Sequence, residues 1–431
     1  MTSSVMTSAA VPPSATRSDR VVVVGGGVIG ASCAYFLRQA GKAVTLIDSG
    51  QFGKGCSHGN CGYVCPSHVL PLAGPGAFRS ALKTLFRKNS PLKVRWRLDP
   101  ALWSWFWQFS RRCNQRDALA AGRAIQQLLA SSRALYDELF QSTLTDVEWD
   151  PAGLLFVFLT PSAMEHYAQT DRLLQSEFGL CAARLEGDAL WEFEPALKPS
   201  VAGAWRYASD GQLRPDKLMS AWRRTLESIG VEIREQCALR DLAIDRRMVR
   251  RLITDQGEIT ADQAVIATGA WTAQWRRRLR CSIPIQPGKG YSLTMPRPAL
   301  CPRSPMIFEE HRVAISPMQT GYRVGSTMEF AGYDTSLNPA RLRLLRESAD
   351  LYLREPLSGA ALEEWWGWRP MTPDGLPFIG CSPAFDNVYL AAGHGMLGVS
   401  MAPATGKLVA ELLTGQPAHI DPVPYAVSRA M

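Results

Sequence analysis

The chain has 431 residues, of which 46% are hydrophobic and 20% are charged. These proportions exclude a disordered or fibrous protein, and the length predicts two domains, each with a buried core. The formal net charge of +8 is compatible with an anionic ligand, an anionic membrane surface or a basic host proteome, and it does not require a nucleic-acid partner.

The N-terminal residues and the cysteines indicate the compartment. Residues 1–18 are rich in Ser, Thr, Ala and Pro and lack a positively charged segment before an apolar block, which predicts a flexible tail and not a signal peptide. The ten cysteines show no disulfide-scaffold rhythm, so we expect a reducing environment. A cytoplasmic protein is therefore expected.

The first predicted elements form a βαβ unit. Residues 21–24 are a β-branched strand, residues 28–39 a helix, and residues 43–47 a second strand. Two strands joined through a helix in this way predict a parallel sheet.

Glycines occupy the turn between the first strand and the helix. Gly25, Gly27 and Gly30 have the G-x-G-x-x-G spacing, which permits a tight turn, close approach of a pyrophosphate to the helix N-terminus, and close packing of helix on strand. Asp48 follows the second strand, where a carboxylate can accept hydrogen bonds from a ribose. The alternative is a glycine turn that serves packing only, and the motif does not distinguish FAD from NAD. The predicted dinucleotide contacts are Gly25, Gly27, Val28, Ile29, Gly30 and Asp48.

A basic segment and an aromatic segment follow. The basic residues are Arg79, Lys83, Arg87, Lys88, Lys93, Arg95 and Arg97, and the aromatic residues are Trp103, Phe106 and Trp107. One interpretation is a peripheral contact with the inner face of a membrane, and the other is a solvated face followed by a core-facing helix.

The remaining pattern mixes helices and strands. We predict a long helix over 118–139, a strand over 153–159, a helix over 215–228, strands over 231–234, 247–254 and 264–268, strands over 291–294, 313–316 and 323–325, a helix over 339–353, a strand over 388–391 and a helix over 402–413. The strands over 231–234, 247–254 and 264–268 are expected to return the chain to the first sheet, which makes the first domain discontinuous.

Several segments resemble the D-amino-acid oxidase and dehydrogenase family of FAD-dependent oxidoreductases. The resemblance is carried by residues 366–380 and 393–398, by the Cys-Ser-His-Gly-Asn-Cys-Gly loop at 56–62, and by the Ala-Thr-Gly strand end within 264–271. Within that family the chain is most similar to the D-amino-acid dehydrogenase group, and its residues 60–68 are most similar to the hydroxy-D-proline dehydrogenases.

The resemblance implies an α/β fold, in which a discontinuous Rossmann-like FAD-binding domain with a mostly parallel sheet joins an α+β substrate domain with an antiparallel sheet. The implied FAD-binding domain comprises residues 19–75, 208–282 and 366–431, and the substrate domain residues 76–207 and 283–365. FAD would be held non-covalently, and its further implied contacts are Ser57, His58, Asn60, Gly62, Gly269, Gly393, His394, Gly395, Met396, Leu397 and Gly398.

Three of these positions carry additional expectations. His394 is interpreted either as a hydrogen-bond donor to the flavin or as a capping or packing residue. Met396 and Leu397 stand where the family's oxidases often carry an arginine, which favours a more apolar pocket.

Arg369 is the implied substrate ligand, because a planar guanidinium can hold a carboxylate through two parallel hydrogen bonds. The alternative is a structural ion pair. The resemblance also implies that Tyr291 assists Arg369, while the alternative for Tyr291 is a place in the core.

No nucleophile, general base or metal site is predicted. The spacing of Cys56, Cys61 and Cys65 misses the ferredoxin pattern, and the histidines lack zinc-ligand spacing. Hydride transfer to a flavin requires orientation and desolvation from the protein rather than such a group.

The expected function is an FAD-dependent dehydrogenase. It would oxidise a D-amino acid or a cyclic D-imino acid, of the D-proline or cis-4-hydroxy-D-proline type, to the imine by hydride transfer to flavin N5, and a quinone or another carrier would accept the electrons. The alternatives are a sarcosine- or glycine-type oxidase that uses O₂, and an FAD-bearing electron-transfer subunit of a multi-chain flavoprotein. The sequence leaves the oligomeric state open.

Overall fold

A computed structural model describes residues 20–78, 92–355 and 359–430. The predicted tail, residues 1–18, lies outside these ranges, as do Arg79, Lys83, Arg87 and Lys88 of the basic segment. None of the helices within the described ranges is both long and apolar enough to cross a membrane.

The described residues form eight α-helices, five of which lie where a helix was predicted. In chain order they are α1 (Val28–Gln39), α2 (Pro100–Arg112), α3 (Gln115–Ser142), α4 (Pro161–Phe178), α5 (Gly187–Phe193), α6 (Pro215–Ser228), α7 (Pro339–Tyr352) and α8 (Gly398–Thr414). Proline begins α2, α4, α6 and α7, where its missing N–H costs no helical hydrogen bond. The predicted helices over 28–39, 118–139 and 215–228 are confirmed.

A six-stranded sheet forms the first layer. Its strands are β1 (Arg20–Val24), β2 (Ala43–Ile47), β9 (Glu232–Arg234), β13 (Gln263–Ile266), β19 (Phe378–Cys381) and β20 (Val388–Ala392). The spatial order is β19-β20-β13-β1-β2-β9, and all neighbours are parallel except β19 and β20. The Rossmann-like, discontinuous sheet is confirmed.

Helices α1 and α8 pack tightly on each other beside this sheet. A Cβ on Gly406 of α8 would lie 2.5 Å from the carbonyl carbon of Ser32 in α1. Because only a glycine permits this approach, the first and last helices of the chain share one buried layer.

A nine-stranded sheet forms the second layer. Its strands are β4 (Leu92–Val94), β5 (Leu154–Phe158), β6 (Ala183–Leu185), β7 (Gly203–Tyr207), β14 (Gln286–Met295), β15 (Met306–Phe308), β16 (Val313–Met318), β17 (Gly321–Phe330) and β18 (Glu363–Met371). The order is β18-β14-β17-β16-β15-β5-β7-β6, with β4 beside β17, and most pairs are antiparallel. The predicted α+β partner of the first sheet is confirmed.

Two smaller sheets complete the fold. They are the antiparallel sheet of β10 (Leu239–Asp245), β11 (Met248–Thr254) and β12 (Gly257–Thr260), and the pair of β3 (Tyr63–Val64) with β8 (Gly211–Gln212). The prediction that the strand over 247–254 joins the first sheet is wrong. This strand, β11, instead forms one hairpin with β10 and a second with β12. The first hairpin turns at Arg246, where φ is +54°.

The predicted domain boundary at residue 366 also differs from the structure. Strand β18 runs through this position and pairs along its length with β14, so residues 366–371 belong to the nine-stranded sheet. Arg369 therefore belongs to the nine-stranded sheet. The chain returns to the six-stranded sheet shortly after it.

Candidate active site

The glycine turn lies at the carboxyl ends of three parallel strands. Gly25 has φ +113°, its N–H donates to Ile47 O at 2.8 Å, and a Cβ on it would lie 2.5 Å from Ala267 O. A Cβ on Gly30 would overlap the carbonyl oxygen of Gly25. The ends of β1, β2 and β13 therefore meet where open α/β sheets bind ligands.

The N-terminus of α1 is free to receive an anion. Gly27 is the N-cap and has no side chain to cap the helix, and the first turn holds no acidic residue. Ser57 Oγ accepts a hydrogen bond from Val28 N at 3.0 Å, which ties the 56–62 loop to the helix. The predicted residue Ile29 lies partly exposed in the same turn.

Asp48 organises this turn. One carboxylate oxygen accepts from Gly26 N at 2.6 Å and the other from Gly50 N at 2.7 Å. Each oxygen has a second lone-pair position, so Asp48 can also accept a hydrogen bond from a ribose hydroxyl.

The 56–62 loop is fixed onto the nine-stranded sheet. Arg323 of β17 donates through Nη1 to the carbonyl oxygens of His58, at 2.9 Å, and Asn60, at 2.8 Å. His58 Nε2 lies 2.7 Å from Glu363 Oε1 of β18. Within the loop, Asn60 Oδ1 accepts from Gly62 N at 2.7 Å, so this amide shapes the turn.

Arg323 and Glu363 were missed by sequence reasoning. Arg323 is 2% exposed and stands between the buried residues Tyr322 and Val324. A charged residue inside an apolar strand is the signal that could have found it, since burying a guanidinium requires several hydrogen-bond acceptors.

The loop before α8 leads into a second helix N-terminus that can accommodate an anion. Gly393 and Gly395 have φ +92° and +54°, and the helix that begins at Gly398 has neither a side-chain cap nor an acidic residue in its first turn. Gly395 N donates to Pro370 O at 3.1 Å, which joins this loop to β18 beside Arg369. The predicted loop and the predicted arginine are thus brought together.

His394 is a packing residue in this structure. It is 4% exposed, and its Nε2 lies 2.9 Å from Thr405 Oγ1 in α8. Burial lowers the pKa of His394 to about 3, so the imidazole is neutral. Of its neighbours, Met396 is exposed and Leu397 is the N-cap of α8.

Gly269 occupies the turn after β13. It has φ +56° and begins a 3₁₀ turn, Gly269–Trp275, at the same sheet edge as the glycine turn of α1. A glycine is favoured there because other residues rarely adopt this backbone conformation.

Arg369 is a half-buried cation without an acidic partner among the described residues. Its Nη1 donates to Thr327 O at 2.7 Å, and a Cβ on Gly290 of β14 would lie 2.6 Å from Nη1. Burial lowers the pKa of the Arg369 guanidinium, while the nearby thiols of Cys56 and Cys61 act in the opposite direction. The structural ion pair considered as an alternative is not formed by these residues, so the guanidinium can receive a carboxylate.

The backbone that accepts from Arg369 is strained. Ser326 and Thr327 have φ +114° and +53° at an irregularity in the pairing of β14 with β17. Such conformations cost about 1–3 kcal/mol each and are concentrated at ligand-binding positions.

Tyr291 does not meet Arg369. It pairs directly with Trp366, whereas the Gly290 position faces the guanidinium, so strand alternation puts Tyr291 on the opposite face of the sheet. Its hydroxyl donates to Glu329 Oε2 at 2.7 Å, and the side chain is 1% exposed in the core. The prediction that Tyr291 assists Arg369 is wrong. The family resemblance identified Tyr291 but did not specify the face of the strand on which its side chain lies.

Trp365 is a further residue on the face of Arg369. Its indole lies against Gly59 and Gly367, at each of which a Cβ would overlap the ring. Met371 also lies on this face of β18, because alternate residues of a strand point to the same side. This face therefore combines one cation with apolar surface.

These residues fit a dinucleotide bearing a redox ring. Two helix starts whose N-cap residues supply no capping side chain, glycines with no room for side chains and a hydrogen-bonded loop on the neighbouring sheet form the cradle, and a half-buried guanidinium lies beside it. The fold and the site thus define a dinucleotide-dependent oxidoreductase with an arginine beside the cradle.

Comparisons with known proteins specify the family. Residues 20–412 match the family described as FAD dependent oxidoreductase, DAO, and the chain belongs to that family. FAD is therefore its cofactor, and when bound it supplies a two-electron acceptor.

Two relatives and one solved structure illustrate the similarity. A D-amino acid dehydrogenase of Paramagnetospirillum magneticum is 32% identical over 409 residues, covering 93% of this chain and 96% of that protein. A D-amino acid dehydrogenase of Methylobacterium nodulans is 34% identical over 416 residues, covering 93% and 96%. The crystal structure of glycine oxidase from Geobacillus kaustophilus has a TM-score of 0.76 at 24% identity, covers 95% of this chain and 99% of that chain, and confirms the fold.

Proposed function

We propose that this protein is an FAD-dependent D-amino-acid dehydrogenase that holds FAD non-covalently. The observation that carries the proposal is the half-buried guanidinium of Arg369, which among the described residues donates to a backbone carbonyl and has no acidic partner. A substrate carboxylate would compensate this charge. The names of the relatives, at 32% and 34% identity, support D-amino acids as the class.

The chain's own contribution is orientation and exclusion of water. Arg369 holds the carboxylate, which fixes the α-carbon and its amine relative to the cofactor cradle. The 56–62 loop, pinned by Arg323, and the loop before α8 close the cradle from two sides. With FAD bound, the α-carbon can lose a hydride to the flavin, and the resulting imine hydrolyses in water.

The surroundings of Arg369 favour an apolar or cyclic substrate. Trp365 and Met371 share its face of β18, and both offer apolar surface without a second cation. We therefore propose D-proline or cis-4-hydroxy-D-proline among the substrates, with the electrons passing to a quinone or another carrier.

A dye-reduction screen of the purified holoenzyme over D- and L-amino acids tests the proposal. We expect reduction of an artificial acceptor with D-amino acids and negligible peroxide in air. Steady peroxide production would identify an oxidase, and an inactive yellow chain that regains activity only with added subunits would identify an electron-transfer component. Turnover of L-amino acids alone would contradict the proposed class.

A surface next to the site fits an anionic membrane. Trp96, Leu98 and Trp107 are 78%, 103% and 58% exposed, and the guanidinium of Arg111 lies over the Trp107 ring at 4.9 Å from its centroid. Arg95 also lies here and forms an ion pair with Asp334 at 3.1 Å. Tryptophan with basic residues is the composition of membrane-surface contacts.

The opposite face of α2 leads to the substrate site. Trp105 is buried, and its Nε1 donates to Met371 O at 2.9 Å, two residues from Arg369. We propose that this surface docks on anionic lipid, where a dissolved quinone can reach the enzyme.

Sedimentation with vesicles checks the membrane contact. Trp96→Ala combined with Trp107→Ala should weaken binding to anionic vesicles by at least about tenfold, while zwitterionic vesicles bind little of either protein. Val423→Ala, which removes a different exposed apolar side chain, is the matched control. Equal binding of the double variant and the wild type would exclude this surface.

A further inference from the structure

A cluster of three different metal-ligand side chains lies behind the 56–62 loop. One potential ligand atom from each of Cys65, His68 and Asp210 falls within 4.8 Å of the other two. The pairing of β3 with β8 explains the cluster, because Val64 lies opposite Gly211 and so brings the residues that flank these strands together. Cys65 and His68 are close in sequence, while Asp210 comes from the turn after β7.

The histidine has an unused coordination position. His68 Nδ1 is shielded from solvent and has no hydrogen-bond partner among the described residues. The imidazole packs on Phe156, with ring centroids 5.3 Å apart, so its orientation is held by the core. A buried imidazole nitrogen without a partner is costly unless something fills the position.

The carboxylate has no cation in direct contact among the described residues. Asp210 is 0% exposed and forms no salt bridge with them, and the charge of Arg133 acts on it only from a distance. It accepts from Ser67 N at 3.0 Å and from the hydroxyls of Ser67 and Ser209, which orient the group but supply no charge. Cys65, 1% exposed, stands beside it.

We propose that Cys65, His68 and Asp210 bind one Zn²⁺ ion, with water in the fourth position. A thiolate, an imidazole and a carboxylate form a ligand set that suits zinc, whose positive charge compensates the buried carboxylate. On binding, the Cys65 thiol releases its proton to solvent as the S–Zn bond forms, and no electron is transferred.

The observed spacing requires only a small adjustment. Zinc lies about 2.0–2.3 Å from such ligands, which places the ligand atoms roughly 3.5 Å apart in a tetrahedral site. Rotation of the Cys65 side chain would close the difference, because hydrogen bonds from Ser67 hold the Asp210 carboxylate in place. This site does not include Arg369 and does not depend on the proposed substrate.

A bound zinc ion would tie the segment that follows the 56–62 loop to the body of the fold. Cys65 N already donates to Ser400 Oγ at 3.3 Å, and Ser400 Oγ donates to Tyr63 O at 2.8 Å. A zinc ion at Cys65 would add a tether from this segment to the turn that carries Asp210. The expected role is to stabilise the loop.

Metal analysis of the tag-free holoenzyme tests the proposal. After dialysis against a chelator and refilling with Zn²⁺, we expect about one zinc per chain, and X-ray absorption at the zinc edge should show one sulfur ligand with nitrogen and oxygen ligands. Cys65→Ser, His68→Gln and Asp210→Asn should each lower the zinc content at equal free zinc by about tenfold or more. Cys301→Ser and His311→Gln, which remove the same chemistry elsewhere, should retain it.

The wild type alone also decides the question if a variant fails to fold. Zinc should raise the melting temperature of the chelator-treated wild type. Less than stoichiometric zinc in the refilled wild type, a spectrum without sulfur, or full zinc content in the Cys65→Ser variant would overturn the proposal.

Discussion

Gly290 lies directly against the guanidinium of Arg369 across the pairing of β14 with β18. A Cβ on Gly290 would lie 2.6 Å from Arg369 Nη1, closer than real contacts allow, so the absence of a side chain gives the guanidinium its position. Because the backbone on both strands is fixed by sheet hydrogen bonds, the guanidinium would have to move if a methyl group were added.

Gly290→Ala is therefore expected to raise the KM for the amino acid by about tenfold or more, since a displaced charge-assisted contact is worth about 1.5–3 kcal/mol. FAD content should not change. Steady-state kinetics with a dye acceptor measure the effect. Gly55→Ala, whose Cβ meets no atom within 4 Å, is the control, and an unchanged KM for Gly290→Ala would show that the guanidinium does not hold the substrate where it lies.

Arg369→Met removes the proposed carboxylate ligand. We expect the KM to rise at least about tenfold, with Arg369→Lys giving a smaller rise because a single ammonium cannot form the two parallel hydrogen bonds. Arg343→Met removes an exposed arginine of α7 and should behave as the wild type. If the KM of Arg369→Met equals that of the wild type, the carboxylate site lies elsewhere.

Gly27→Ala tests the cradle at α1. Gly27 has φ −78°, so alanine fits the backbone, and the nearest atom to its Cβ is Ser57 Oγ at 3.4 Å. The methyl group would instead obstruct approach of the pyrophosphate, and we expect the Kd for FAD to rise about tenfold or more.

Fluorescence titration of the apoprotein with FAD measures this Kd. The melting temperature of the apoprotein should not change, because the substitution leaves the fold intact. Gly74→Ala, with only ordinary contacts around its Cβ, is the matched control. Equal FAD affinity in Gly27→Ala and the wild type would remove this turn from the proposed site.

His394 makes stability depend on pH. Its pKa falls from the ordinary value of 6.5 to about 3 in the folded protein, so between these values the unfolded chain binds a proton that the folded chain does not. The contribution of His394 to the free energy of unfolding is fully present above the pKa that this histidine has in the unfolded chain. As the pH falls below that pKa, the free energy of unfolding decreases by up to about 1.4 kcal/mol per pH unit.

His394→Gln should therefore lose less stability than the wild type when the pH is lowered from about 7 to about 5. Calorimetric melting temperatures across this range provide the measurement. His166→Gln, which removes an exposed histidine, is the comparison expected to follow the wild type. Parallel curves for His394→Gln and the wild type would mean that the buried imidazole is charged or hydrated.

The substrate amine should impose an alkaline rise on the rate. Hydride loss from the α-carbon is favoured when the amine is neutral, so kcat/KM is expected to increase with pH until the free amine predominates. Because His394 is neutral throughout, it should add no inflection near neutral pH. A flat profile between neutral and alkaline pH would count against amine oxidation by this route.

Local features were predictable because contiguous residues determine them. The glycine turn and helix α1 follow from Gly25, Gly27 and Gly30 within one short segment, where backbone sterics leave few choices. The family resemblance rests on similar short segments, and Arg369 was found among them. The fold class and the cofactor could thus be predicted.

Tertiary structure alone decided which side chains meet. Tyr291 and Arg369 lie on the adjacent strands β14 and β18. Their side chains point to opposite faces of the sheet, because successive residues of a strand alternate and the pairing of the two strands fixes which residues share a face. Arg323 and Glu363 meet the 56–62 loop because distant strands pair in one register, which short-range patterns do not encode.

The same reason applies to the cluster of Cys65, His68 and Asp210. Its members are brought together by the pairing of β3 with β8, two short strands far apart along the chain. The amino-acid sequence by itself determined the glycine turn, the helices and the identity of the cofactor, since these depend on neighbouring residues. Strand register and domain packing decided the surroundings of each functional side chain, because they are properties of the whole folded chain.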